Sequence, residues 1–342
     1  MEIHQPRRMP GSGPAGRFLT YTQPMVWLPV LLLLASTDVG QIKTLIEQGK
    51  LNEAEAALAQ SGAQDAEAQR LRGVIAYRRH DYQRAVEKLQ AVLPLLEAGG
   101  AESRETVLLL GQSYYLSGRP AEAASTLEKL PRSVRTSEVW FMLGRAQLIT
   151  NQVPEAVESF AALFGVAPGS AATHLVTARM MMKEQQEDQA AVEAGRALAL
   201  DARIADAHLL IGEVHLFRGR VDEAIRELNA ELANAPGSSN AFYRLGDAQA
   251  RKENWPLATA ALQKSIWLNP FFSAPYILLG KAYLKTGDAA NAEGVLRTAI
   301  KMDPQNSSAH YLLGRSLVAQ GRTEEGQKML EKSRSLRPDD QP

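Results

Sequence analysis

Between about residues 104 and 340, apolar and small residues return on one beat. Glycines stand at Gly111, Gly144, Gly212, Gly246, Gly280 and Gly314, spaced by 33, 34 or twice 34 residues, and Ala178 fills the midpoint of the double step. Small residues at Ala123, Ala156, Ala190, Ala224, Ala258, Ala292 and Gly326 keep the same interval, as do Pro168, Pro236, Pro270, Pro304 and Pro338, with Ala202 in the gap. A large residue precedes the glycine by four positions, as in Trp140, Phe242 and Tyr276. The pattern predicts two helices per period. Small residues let the helix axes approach, large ones fill the space between them, and proline ends the second helix. Gly118, Gly219, Gly287 and Gly321 fall where the first helix must reverse, a position suited to a left-handed cap.

The clearest period reads Tyr276…Leu279-Gly280…Tyr283…Gly287…Ala292…Ala299…Pro304, with parallels at Trp140…Leu143-Gly144…Ala156…Phe160…Pro168 and Phe242…Leu245-Gly246…Ala258…Pro270. It resembles the tetratricopeptide repeat. The resemblance implies an all-α fold, a right-handed superhelical solenoid of antiparallel helix pairs. It also implies a non-catalytic scaffold that binds peptide or protein partners in a concave groove lined by the first helix of each repeat. Regular repeats occupy 104–340. Residues 38–103 read as degenerate repeats, with Leu71-Arg72-Gly73…Tyr77…Ala85 as one unit and the stretch from Gln41 to Gln60 as another, giving nine units in all.

If the family's groove is present, two rows of the first helices face it. Three residues before each glycine position stand Leu108, Phe141, Leu175, Leu209, Tyr243, Ile277 and Tyr311, an apolar row with aromatic members. Just after it stand Gln112, Arg145, Arg179, Glu213, Asp247, Lys281 and Arg315. Arg179 with Glu213, and Asp247 with Lys281, are candidates to pair across adjacent helices at a modest gain. Met182 either lines the groove or fills the core. Some family members hold peptide C-termini with a Lys–Asn carboxylate clamp at these rows. Neither row carries that pair, so the chaperone-adaptor role does not transfer.

The N-terminus breaks the pattern. Residues 1–24 are rich in Pro, Gly and polar residues and read as disordered. Residues 25–37 then run from Met25 through Val26-Trp-Leu-Pro-Val-Leu-Leu-Leu-Leu-Ala35 to Ser36 and Thr37, with no charge between Arg17 and Asp38. Basic residues, an apolar core and small residues form the layout of an export signal. The core is short of the ~20 residues that span a bilayer, so a cleaved signal and a single uncleaved anchor are both compatible with it. The expected location is exported (periplasmic or extracellular) or membrane-anchored. The alternative is a cytoplasmic protein whose true start is Met9 or Met25, acting as an adaptor subunit of an enzyme complex.

Composition narrows the chemistry further. Lys plus Arg equals Asp plus Glu at 38 each, so no net field draws in nucleic acid. With no cysteine there are no disulfides, thiolate sites or cysteine nucleophiles. Gly11-Ser-Gly-Pro-Ala-Gly16 spells a dinucleotide fingerprint but lacks the strand and helix that give it meaning. His174, His208 and His310 share one repeat position and read as packing residues. His208 and His215 share a helix face without further ligands. No catalytic, metal or cofactor set emerges, and an enzyme with an unrecognised site is the weakest of the three functional classes.

Overall fold

The computed structural model describes residues 39–336, so the segments 1–24 and 25–37, and Pro338, lie outside it. Among the described residues there are eighteen α-helices and no strand. The helices form nine pairs. The first four are α1 (Val39–Glu47) with α2 (Leu51–Gln60), α3 (Ala66–Arg78) with α4 (Tyr82–Val92), α5 (Ala101–Leu116) with α6 (Pro120–Leu127), and α7 (Ser137–Ile149) with α8 (Val153–Phe164). Next come α9 (Ala171–Lys183) with α10 (Glu187–Leu200), α11 (Ala207–Phe217) with α12 (Val221–Asn234), and α13 (Ser239–Arg251) with α14 (Trp255–Leu268). The last are α15 (Ser273–Lys285) with α16 (Ala289–Met302), and α17 (Ser307–Ala319) with α18 (Thr323–Ser335). None of these helices is long and apolar enough to cross a membrane.

The glycine series does what its spacing implies. Each glycine of a first helix lies against a large residue sixteen positions on. An ideal Cβ would come within 2.6 Å of Leu89 at Gly73, 2.4 Å of Leu127 at Gly111, 2.7 Å of Phe160 at Gly144 and 2.5 Å of Leu296 at Gly280. Two pairs are built differently: in α1–α2 Ile42 stands at the glycine position opposite Leu58, and in α9–α10 Ala178 replaces glycine while Ala194 stands where the others have Leu or Phe. Ala178 and Ala194 are fully buried.

Each pair reverses through a residue with positive φ: Gly49, His80, Gly118, Asn151, Gln185, Gly219, Glu253, Gly287 and Gly321. In most of them the following amide donates to a carbonyl five residues back, as in Arg119 to Tyr114 and Asp288 to Tyr283. This is the Schellman arrangement, which satisfies carbonyls orphaned at the helix end. Pro168, Pro236, Pro270 and Pro304 fall in the turns between pairs. Side chains of Asp65, Thr136, Ser170, Ser238 and Asn306 cap the following first helices by accepting from backbone amides. Such caps contribute about 1 kcal/mol each.

Every helix packs on the next, and the first helices also touch one another: α1 on α3, α3 on α5, α5 on α7, α9 on α11, α11 on α13, α13 on α15 and α15 on α17. No second helix makes a comparable contact with the next second helix among the described residues. The first helices therefore crowd to one side, which becomes the inner surface. The α7–α9 joint is looser, and polar bridges span it. Arg145 donates to Glu184, and the Gln186 amide donates to the Leu148 carbonyl at 3.1 Å.

Candidate groove on the first helices

The apolar row divides by exposure. Phe141 and Tyr311 are exposed, at 36% and 40%, and Leu108, Tyr243 and Ile277 are half-buried. Leu175 and Leu209 are not groove residues, since both are only 6% exposed and belong to core clusters. They are covered because the next first helix packs over them, Leu175 in one cluster with Ala207 and Leu210 of α11 and Leu209 in one with Ala241 and Ala248 of α13. Met182 is half-buried, packs against a core cluster and also lines a cavity of 220 Å³ with Glu213, Phe217, Arg244 and Asp247.

The charge row pairs in a register different from the one the sequence spacing suggests. Arg179 reaches Asp206, not Glu213. Glu213 accepts from Arg244 at 2.7 Å, and Asp247 accepts from Arg251 on its own helix at 3.0 Å. Arg145 binds Glu184 and lies over the rings of Tyr115 and Phe141, 5.8 and 5.5 Å from their centres. The hydrogen bond to Glu184 holds the Arg145 guanidinium above its ordinary pKa. Gln112 is buried, facing Glu138. Lys281 and Arg315 are exposed and have no carboxylate partner among the described residues. The physical reason is reach. Long side chains bridge to whichever acid lies in range, and the spacing that matters is 27, 31 or 4 residues, not one repeat.

Of these two free cations, Lys281 lines the roomiest cavity along the row, together with the Asp247 carboxylate that Arg251 already holds, and Arg315 lies one helical turn on from Tyr311 on α17. The cavity measures 480 Å³ and is walled by Tyr243, Ile277, Tyr311 and Leu312, with Asn306 and Ser308 at its polar edge. Tyr243 is held edge-on against Phe272, ring centres 5.0 Å apart, and burial raises the pKa of its phenol. Asn306, Ser308 and Leu312 were not singled out by the repeat pattern. The signal for them was their place on α17 beside Tyr311: Asn306 caps the helix, and Ser308 and Leu312 stand three residues before and one after the tyrosine.

At the other end, Lys43, Arg70, Glu102 and Glu105 line a 270 Å³ cavity. Its charges neutralise one another: Lys43 meets Glu67 at 2.9 Å, and Arg70, nearly buried, meets Glu67 and Glu105 at 2.7 Å each. Nothing in the sequence pattern marked Arg70 as a core residue. The histidines act locally. His174 pairs with Glu193 and His208 with Glu227, each at 2.7 Å, in matching register, and buried His310 faces the Pro304 carbonyl at 3.0 Å. Among the described residues, no group of three or more His, Cys, Asp or Glu is placed to hold a metal ion.

The class defined by these helix pairs is a right-handed solenoid of antiparallel helical repeats. A tetratricopeptide repeat model matches residues 39–100, 108–171, 182–239 and 209–271, and a second tetratricopeptide repeat model matches 283–342. The chain belongs to the tetratricopeptide repeat family, and it is a protein-interaction scaffold in the sense that this family is. Among curated proteins none matches it in sequence. Several solved structures are similar to parts of it. A crystal structure of MamA is 23% identical, covers 46% of this chain and 93% of its own, and has a TM-score of 0.43. YrrB, described as a TPR protein with an unusual peptide-binding site, is 22% identical over 54% of this chain and 95% of its own, with a TM-score of 0.45. MamA 41-end from Desulfovibrio magneticus RS-1 is 18% identical over 48% and 94%, with a TM-score of 0.45.

Proposed function

We propose that this protein is a non-catalytic adaptor that takes an acidic, apolar-anchored segment of a partner protein in the groove of α13, α15 and α17. The observation that carries this reading is the pairing pattern of the charge row. Four of its members are neutralised within the chain, while Lys281 stands free in the wall of a largely apolar cavity of 480 Å³ and Arg315 stands free one turn beyond Tyr311 of that wall. An aromatic-walled space with unpaired cations in and beside its wall suits an extended or helical peptide with carboxylates near an apolar anchor. Nucleic acid is a poorer fit, because the chain as a whole is neutral and the row carries two free cations rather than a stripe.

The apolar segment 25–37 supports a role outside the cytoplasm or at a membrane, in envelope assembly or secretion. N-terminal sequencing of the exported protein tests that placement, and recovery of the intact segment in a soluble cytosolic pool refutes it. For the groove, the test is fluorescence anisotropy with a labelled peptide of mixed Glu and Leu residues. It should bind the full chain, bind it less tightly as salt rises, and lose affinity on Lys281→Glu with Arg315→Glu. Equal affinity for a peptide with Lys in place of Glu contradicts the reading.

A further inference from the structure

The outer side of α14 is unlike that of the second helices on either side of it, α12 and α16. Its inward residues Ala258, Ala261, Leu262 and Ser265 are buried as the repeat requires. Its outward residues Leu257, Ala260, Lys264 and Trp267 are exposed and recur at helical spacing, so they share a face. Phe271 follows in the turn. Leu257 is 53% exposed, Trp267 72% and Phe271 87%. One repeat earlier the same positions read Glu223, Arg226, Ala230, Ala233 and Gly237, and one repeat later Asn291, Gly294, Thr298, Lys301 and Gln305. Repeat packing therefore does not ask for apolar residues here. From residue 254 to 280 the only charged residue is Lys264. A helix apolar on both sides is one that meets a second apolar phase.

What that phase is follows from the charges. Lys264 holds its ammonium 4.0 Å above the Trp267 ring, and Lys301 takes the register position of Trp267 on α16. Neither has a carboxylate partner among the described residues. A second copy is a poor occupant, since antiparallel pairing about the middle of the stripe sets Lys264 against its own counterpart. An aromatic pair at a helix end and its turn, flanked by unpaired lysines, has the chemistry of a bilayer interface. Trp and Phe enter the headgroup boundary, and lysine stems follow them while the ammonium stays with anionic headgroups.

We propose that the outer face of α14, with Trp267 and Phe271 as the inserting side chains and Lys264 and Lys301 as the headgroup contacts, docks on an anionic lipid surface. The face opposes the groove side of the array, so a docked molecule keeps its groove turned away from the bilayer. The docking is independent of what the groove binds.

The chain has no cysteine, so a single one can be placed and labelled without background. Full-length Ala260→Cys on the outer face of α14 and full-length Ser308→Cys in the groove each receive an environment-sensitive fluorophore. They are mixed with phosphatidylcholine vesicles, with or without phosphatidylglycerol. With phosphatidylglycerol present, the label at position 260 should brighten several-fold and shift to the blue, while that at 308 should not change. Adding Lys264→Glu and Lys301→Glu should abolish the response even where the N-terminal segment keeps the chain on the vesicle. An unchanged label at 260 on vesicle-bound protein overturns the proposal. So does a response that needs no lipid and grows with protein concentration, which marks a second copy, or one that appears only with an added amphipathic peptide, which marks a partner helix.

Discussion

The contact between Gly280 and Leu296 tests the packing logic of the whole array. A Cβ at Gly280 would lie 2.5 Å from Leu296 Cγ and 2.6 and 2.9 Å from its two methyls. That is roughly 1 Å inside the ~3.5–4.0 Å optimum for carbon pairs. Overpacking of this kind costs about 1–3 kcal/mol, offset by about 1 kcal/mol of helix propensity gained from Gly to Ala. Leu296→Ala, at a fully buried leucine, costs about 3–5 kcal/mol through lost burial and a residual cavity. The double variant, in α15–α16, recreates the Ala178–Ala194 pair that the chain already uses in α9–α10. The new methyl then occupies part of the space the leucine left. The two changes should accordingly couple, with the double variant about 1–2 kcal/mol more stable than the sum of the singles. Urea unfolding followed by far-ultraviolet circular dichroism on the four proteins gives the cycle. Gly294→Ala, whose Cβ meets open space, is the control and should gain about 0.5–1 kcal/mol. Additivity within about 0.3–0.5 kcal/mol, or a Gly280→Ala gain equal to that of Gly294→Ala, would refute the close-approach account.

Three further outcomes are expected. Glu253 occupies a reversal with φ of 58°, where glycine stands in five of the nine pairs, so Glu253→Gly should raise the urea midpoint by the equivalent of about 0.5–1 kcal/mol. At Glu293, burial works to raise the pKa, but hydrogen bonds from Arg297, Arg322 and Gln320 outweigh it and bring the carboxyl from 4.5 down to about 2. A depressed folded-state pKa gives stability that is present above 4.5 and lost as pH falls toward about 2. Glu293→Gln should thus flatten the thermal-midpoint profile in that window, and an unchanged slope there contradicts the ion-pair reading. Tyr243→Ala with Tyr311→Ala should weaken capture of the acidic peptide while helicity stays intact, and undiminished capture removes this stretch of the groove from the binding surface.

The architecture was legible because its signals are periodic. Gly280, Ala292 and Pro304 each repeat at one interval, and each has a single steric reason to be where it is. The left-handed reversals were legible only at glycine. At His80, Asn151, Gln185 and Glu253 the same backbone is adopted by residues that tolerate it at a cost, and the four carry no common letter. The groove was legible in outline, through Tyr243, Ile277 and Tyr311, but its electrostatics were not. Whether Glu213 meets Arg179 or Arg244 depends on side-chain reach across a curved surface, which a count of residues does not contain. Leu175 and Leu209 show the same limit for apolar residues, since position in the row does not say how far a neighbouring helix covers it. The stripe on α14 escaped for the opposite reason: it departs from the repeat, and a search for regularity passes over it.

The central claim is that partners enter the groove at α13–α17. In-cell photo-crosslinking from an unnatural residue at Ser308, compared with one at exposed Lys328 on α18, tests it most directly. The account expects a discrete protein adduct from position 308 that is absent from 328 and disappears with Lys281→Glu and Arg315→Glu. Adducts of equal yield from both positions, or an adduct at 308 indifferent to the loss of the two cations, would contradict it.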